Sequence, residues 1–156
     1  RENKTCKLII GGDGRRKKDA EKLAIDLGLQ DHIKFIGWIK QDDIPAYYAA
    51  SDVVVNSIIY RHAGSVKVLE SLSSGKPNVL CNIESLPGEN SFPTEYIAML
   101  VKPKDAHDMA RGILALLNDE ELGKRLGNNA WNFIRDNFSI ENIAKDYKKL
   151  YEELVE

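Results

Sequence analysis

Between Asp52 and Asn82 the chain reads DVVVNSIIYRHAGSVKVLESLSSGKPNVLCN: an apolar strand, a loop, a short helix and a second apolar strand. The loop ends in Arg61-His62-Ala63-Gly64-Ser65, and a lone carboxylate, Glu70, follows just inside the helix. A helix N-terminus collects anions, because its free backbone N–H groups and its dipole point at the same spot. In open α/β sheets ligands also gather at the carboxyl ends of the strands. The chemistry this segment suits is the binding of a nucleotide phosphate. A second candidate is Gly11-Gly12-Asp13-Gly14, between an apolar run and a helical one, where glycines would let backbone approach a phosphate. Its spacing fits neither G-x-G-x-x-G nor a P-loop, so a plain tight turn explains it equally well.

Strand and helix patterns alternate around these residues. Apolar runs at Lys7–Gly11, Ile33–Gly37, Asp52–Ser57, Asn78–Asn82 and Ile97–Val101 read as strands, with helices over Arg16–Leu27, Asp42–Ala50 and Gly64–Ser74. That alternation predicts an α/β fold with a doubly wound, mostly parallel, Rossmann-like sheet. Runs such as Val53-Val54-Val55 suit strands covered on both faces. Gly75-Lys76-Pro77 is a clean helix stop. On the helix before it, Ser65, Val68, Leu69 and Leu72 should face the sheet, while Lys67, Glu70, Ser71 and Ser74 face away. Periodicity alone thus makes Glu70 a solvated residue, paired with Lys67 on the surface. After Val101 the pattern is helical to the end. Asp105, Asp119 and Ser139 stand as N-caps, and Ile143, Tyr147, Leu150 and Leu154 make a stripe on the last helix.

The chain has 156 residues, enough for one domain with a proper core, and 43% of them are apolar. A formal net charge of −2 leaves no basic excess for nucleic acid. The Arg15-Arg16-Lys17-Lys18 run is followed by Asp19 and Glu21, which reads as a solvated first helical turn. Cys6 and Cys81 lie in apolar runs without metal-type spacing and are expected as buried free thiols of a cytoplasmic protein. His32, His62 and His107 are scattered, and no metal site or other cofactor is expected. No apolar run approaches the ~18 residues of a membrane span. Residues 1–6 are polar and lead straight onto a strand, as in a cut through a larger protein.

Gly12-Asp13-Gly14, Ile33-Lys34-Phe35-Ile36-Gly37, Ala50-Ser51-Asp52-Val53-Val54-Val55 and Leu69-Glu70-Ser71-Leu72-Ser73-Ser74-Gly75-Lys76-Pro77 together resemble the donor-binding half of retaining glycosyltransferases. The group is the large GT-B one, glycosyl transferases group 1, that includes sucrose-, mannosyl- and glycogen-synthase-type enzymes. The segments resemble its V-x-F-x-G, A-D-v-x-v and L-E-A-m-A-x-G-x-P-V pattern in order and approximate spacing, over essentially the whole chain. The resemblance implies half of a GT-B fold that binds a nucleotide-diphosphate sugar, with uracil, guanine or adenine as the base. Glu70 matches the glutamate that accepts hydrogen bonds from the ribose hydroxyls. The N–H groups of Ala63, Gly64, Ser65 and Val66 would meet the diphosphate and sugar, and Gly37-Trp38-Ile39 would meet the base through backbone atoms. Transfer in this group needs no divalent ion and proceeds with retention, assisted by the leaving diphosphate.

Three departures stand out. His62 occupies the position eight before Glu70, where the group has a sugar-contacting glutamate, so His62 is the candidate catalytic-site residue. The strand–loop–helix unit that opens the family's donor half, with its diphosphate-binding Arg and Lys, should precede Arg1. The acceptor-binding half should precede that in turn. Residues 1–156 therefore read as one nucleotide-sugar-binding domain that works with an N-terminal partner domain and is inactive without it. Peripheral membrane contact would come through the complete enzyme. A rival reading is a non-catalytic nucleotide-sugar-binding or partner-binding α/β module.

Overall fold

A computed structural model describes residues 6–58, 65–82 and 94–155. The chain divides into two compact units, Arg1–Pro45 and Ala46–Glu156. The fold is α/β with parallel strands throughout, as the alternating pattern predicts. The described strands pair as two ladders, β1-β2 and β3-β4-β5, rather than as one continuous sheet.

In the first unit β1 (Leu8–Gly11) pairs in parallel with β2 (Ile33–Gly37), Leu8 opposite Ile33. The crossover helix α1 (Lys17–Asp26) ends at Gly28, whose φ of 67° lets Gly28 N–H and Leu29 N–H donate back to Ile25 and Ala24 carbonyls at 2.9 and 2.8 Å. The Gly12 turn also needs glycine, with φ 112°, and its N–H donates to the Gly37 carbonyl at 2.6 Å. Asp13 Oδ1 accepts from Gly14 N–H at 2.8 Å, so this segment is a locally bonded strand-to-helix turn. Arg16 pairs with Asp19 at 3.3 Å in solvent, as the charge run predicts. His32 Nδ1 donates to the Cys6 carbonyl at 3.2 Å. Two expectations fail here. Leu8 and Ile9 of β1 are 45% and 53% exposed, so this strand is not covered on both faces, and Cys6 just before it is exposed for the same reason.

In the second unit β3 (Val54–Asn56), β4 (Asn78–Cys81) and β5 (Met99–Val101) run parallel with β4 in the middle. Its central place explains why Asn78, Val79 and Leu80 are buried, as strands flanked by partners and covered by helices must be. Cys81, at the end of β4, is half-buried, and burial pushes its thiol pKa up. Helices α3 (Val66–Ser73), α4 (Thr94–Ile97), α5 (Ala106–Asn118), α6 (Glu120–Phe138) and α7 (Ile140–Val155) complete the unit, and α2 (Ile44–Ala49) enters it. Ile97, expected to start the last strand, instead ends α4. The ladder partners of Val79, Leu80 and Cys81 are Met99, Leu100 and Val101, which leaves Ile97 outside the pairing but fully buried.

All three predicted caps form. Asp105 accepts from Asp108 N–H and Asp119 from Leu122 N–H, both at 2.9 Å, and Ser139 Oγ accepts from Asn142 N–H at 3.3 Å. Asp108 in turn accepts from Lys102 N–H and Arg111, which hold its carboxyl pKa below the usual carboxylate range. The stripe on α7 is there, but Tyr147, Leu150 and Leu154 remain exposed against this chain. No helix among the described residues is long and apolar enough to cross a membrane.

Helix α6 lies against the turn that ends α3. A Cβ at Gly123 would touch Pro77 Cγ at 3.1 Å, and one at Gly127 would overlap the Gly75 carbonyl oxygen. Gly75 itself has φ 70°. Gly127→Ala should gain about 1 kcal/mol of helix propensity. It loses more, because a backbone carbonyl cannot swing aside as a side chain can, and overpacking costs about 1–3 kcal/mol. Urea unfolding should therefore show a net destabilisation, and an unchanged or raised midpoint would contradict this packing.

Candidate nucleotide-sugar site

Ser65 opens α3 in extended backbone, and its carbonyl accepts from Val68 and Leu69 N–H at 2.9 and 3.2 Å. Its hydroxyl makes no capping hydrogen bond, so the first N–H groups of the helix are not used up by their own cap. Val66 is 65% exposed. Val68, Leu69 and Leu72 pack on the core, as the helical period predicts. These contacts set which way the rest of the helix faces.

Glu70 is half-buried rather than solvated. Tyr48, on α2, is half-buried nearby. Burial raises its pKa, and the negative charge of Glu70 raises it further. A carboxylate partly withdrawn from water, on a helix whose N–H groups open at Ser65, can accept from a vicinal diol. Ser65, Val66 and Glu70 are thus brought together on one helix. Gly37, the last residue of β2, and Trp38 and Ile39 after it belong to the first unit. Gly37 has φ 68° and accepts from Gly12, Trp38 is 83% exposed, and Ile39 packs its side chain over Gly11. His62, Ala63 and Gly64 lie outside the described residues.

Ser71, expected to face away from the sheet, is fully buried. Its environment is polar, which is why a serine serves there. Asn56 Nδ2, at the carboxyl end of β3, donates to Ser71 Oγ at 2.9 Å and to Asn78 Oδ1 at 3.2 Å. Asn78 Nδ2 donates to the Ser71 and Lys76 carbonyls at 3.1 and 2.9 Å. Ser71 Oγ donates to the Val68 carbonyl at 2.9 Å, and Ser74 Oγ donates to the Ser71 carbonyl at 2.6 Å. Among the described residues no buried side-chain polar atom lacks a partner. Sequence reasoning passed over Asn56, Asn78 and Tyr48. The available signal was an asparagine in each of two otherwise apolar strands. Among the described residues no group of three or more His, Cys, Asp and Glu could hold a metal ion.

Known proteins resemble this chain in sequence or in fold. An uncharacterised glycosyltransferase of Methanocaldococcus jannaschii is 29% identical over 96% of this chain and 38% of its own length. The lipopolysaccharide core biosynthesis glycosyltransferase LpsE of Rhizobium meliloti is 34% identical over 92% of this chain and 41% of its own length. Anabaena HepE, solved with UDP and also with UDP-glucose, is 21% identical and shares the fold at a TM-score of 0.80, over 95% of this chain and 41% of HepE. The chain therefore spans about two-fifths of the length of these curated relatives, 38% and 41%. The sequence model of the family "Glycosyl transferases group 1" matches residues 1–133, most of the chain, and the chain belongs to that family.

Proposed function

We propose that this chain is the donor-binding, C-terminal half of a retaining glycosyltransferase that takes its sugar from a nucleotide-diphosphate sugar. The observation that carries the reading is Glu70: a half-buried carboxylate on α3, at the family position that meets the ribose. The relatives named as glycosyltransferases and the UDP complexes of HepE support it. On this reading the nucleotide lies at the carboxyl ends of the strands, with its diphosphate toward Ala63, Gly64, Ser65 and Val66. The base lies toward Gly37, Trp38 and Ile39, and His62 lies toward the sugar. The preceding strand–helix unit and acceptor domain complete the enzyme, which works in the cytoplasm.

A hydrogen bond to a charged group contributes about 1.5–3 kcal/mol. Glu70→Ala should therefore weaken nucleoside diphosphate binding by roughly 10- to 150-fold. Calorimetry with UDP, GDP and ADP checks this and identifies the base. Equal binding by wild type and variant would sink the ribose assignment. One observation favours a second reading, a non-catalytic nucleotide-sugar-binding module: His62 stands where the family has its sugar-contacting glutamate. Binding without any turnover in the complete protein would select it.

A further inference from the structure

Three polar side chains from three separate elements converge at Ser71, the residue after Glu70 on α3. Asn56 ends β3, Ser71 follows Glu70 on α3, and Asn78 begins β4. Ser71 and Asn78 are fully buried, and Asn56 is half-buried. Both N–H bonds of each asparagine amide are spent inside the cluster: Asn56 on Ser71 and Asn78, Asn78 on the Ser71 and Lys76 carbonyls. Ser71 is the shared acceptor, at its hydroxyl and at its carbonyl.

Stability does not require this arrangement. Apolar residues of similar shape at buried, mutually bonded positions are often neutral or better, because the polar groups must be desolvated before they pair. The apolar contacts of Val68, Leu69 and Leu72 already hold α3 on the core. Such contacts are non-directional, however, and tolerate a helix that rotates or slides. Hydrogen bonds in a low-dielectric interior are directional and strong. What the cluster adds is a fixed rotation and height for the helix turn that carries Glu70.

We propose that Asn56, Ser71 and Asn78 act together as positioning residues for Glu70, locking α3 to the end of β3 and the start of β4 so that its carboxylate meets the donor in one orientation. The inference rests on the donor reading given above. A merely structural cluster would change stability without changing what Glu70 is worth to the ligand. A positioning cluster couples to Glu70.

The test is a double-mutant cycle in the complete protein that carries this chain. Affinity is measured for UDP, GDP and ADP, in wild type and in the combined variant Asn56→Val/Ser71→Ala/Asn78→Val, each with and without Glu70→Gln. Thermal unfolding of every variant is followed in parallel. The combined variant should stay folded and bind the preferred diphosphate about tenfold more weakly. Glu70→Gln should then cost about tenfold less than it does in wild type, within the range of coupling between contacting residues. If Glu70→Gln costs the same in both backgrounds, the positioning inference falls and the donor reading stands. If Glu70→Gln costs nothing in wild type, the donor reading falls and takes the inference with it. Should the combined variant unfold, Ser71→Ala alone removes only the hydroxyl that accepts from Asn56 and donates to the Val68 carbonyl, and the same comparison decides.

Discussion

Expressed alone, the 156 residues of this chain should transfer no sugar from any nucleotide sugar to any acceptor, while still binding a nucleoside diphosphate. The reason is orientation. Holding donor and acceptor in reacting geometry is worth about 7–11 kcal/mol of barrier. Losing it lowers the rate by roughly five to eight powers of ten, below detection for an enzyme of ordinary turnover. The chain spans 38% of one relative and 41% of another, and on the donor reading every proposed site residue serves the donor. A coupled assay for nucleoside diphosphate release, with product identified by mass, checks the absence of transfer. Chain-dependent product from these residues alone would overturn the two-half site.

Much of the architecture is legible because its signals are local. Strand β2 falls on the predicted Ile33–Gly37, and β1, β3 and β4 fall inside their predicted ranges. The caps at Asp105, Asp119 and Ser139 depend on one side chain and one turn, so they are read without knowing the neighbours. What could not be read is non-local. Periodicity marks Leu8 and Ile9 as strand, yet whether a strand is covered depends on what packs over it, and here they stay exposed. The same holds for Tyr147 and Leu154 on α7. Ile97 reads as strand from its neighbours, and only the register against β4 moves the ladder to Met99.

The site divides the same way. Glu70 stands out only by resemblance, since helical period places it in solvent beside Lys67. The structure shows why the period misleads. Ser71 is buried because it meets the strands, where Asn56 of β3 and Asn78 of β4 bond it, and Glu70 beside it is half-buried. A helix face buried on strands hides polar positions as readily as apolar ones, provided that partners wait for them. Asn56 and Asn78 are those partners, contributed by strands 15 and 7 residues away from Ser71. No helical or strand period links them.

Leu72→Ala is expected to have the largest effect of any single substitution on the stability of the second unit. Leu72 is fully buried among Leu80, Ile97, Ala98, Ala130 and Ile134, on the face of α3 opposite to exposed Val66 and Lys67. Truncating a buried leucine costs about 2–5 kcal/mol, from lost transfer energy and the cavity left behind. The upper part of that range is expected here. The neighbours come from β4, α4 and α6, and helices and strands held by their own ladders and caps collapse poorly around a void. Against a total stability of about 5–15 kcal/mol, such a loss lowers the urea midpoint sharply without forbidding the fold. The decisive comparison is with Glu70→Ala, two positions away on the same helix. Glu70→Ala should alter the midpoint little and remove most of the nucleoside diphosphate affinity. Leu72→Ala should do the reverse, keeping near-wild-type affinity wherever it is folded. If Leu72→Ala leaves the unfolding free energy within about 0.5 kcal/mol of wild type, the range usual for a surface substitution, then α3 is not packed on β4 as described. The identification of the helix as the rigid support of Glu70 would go with it.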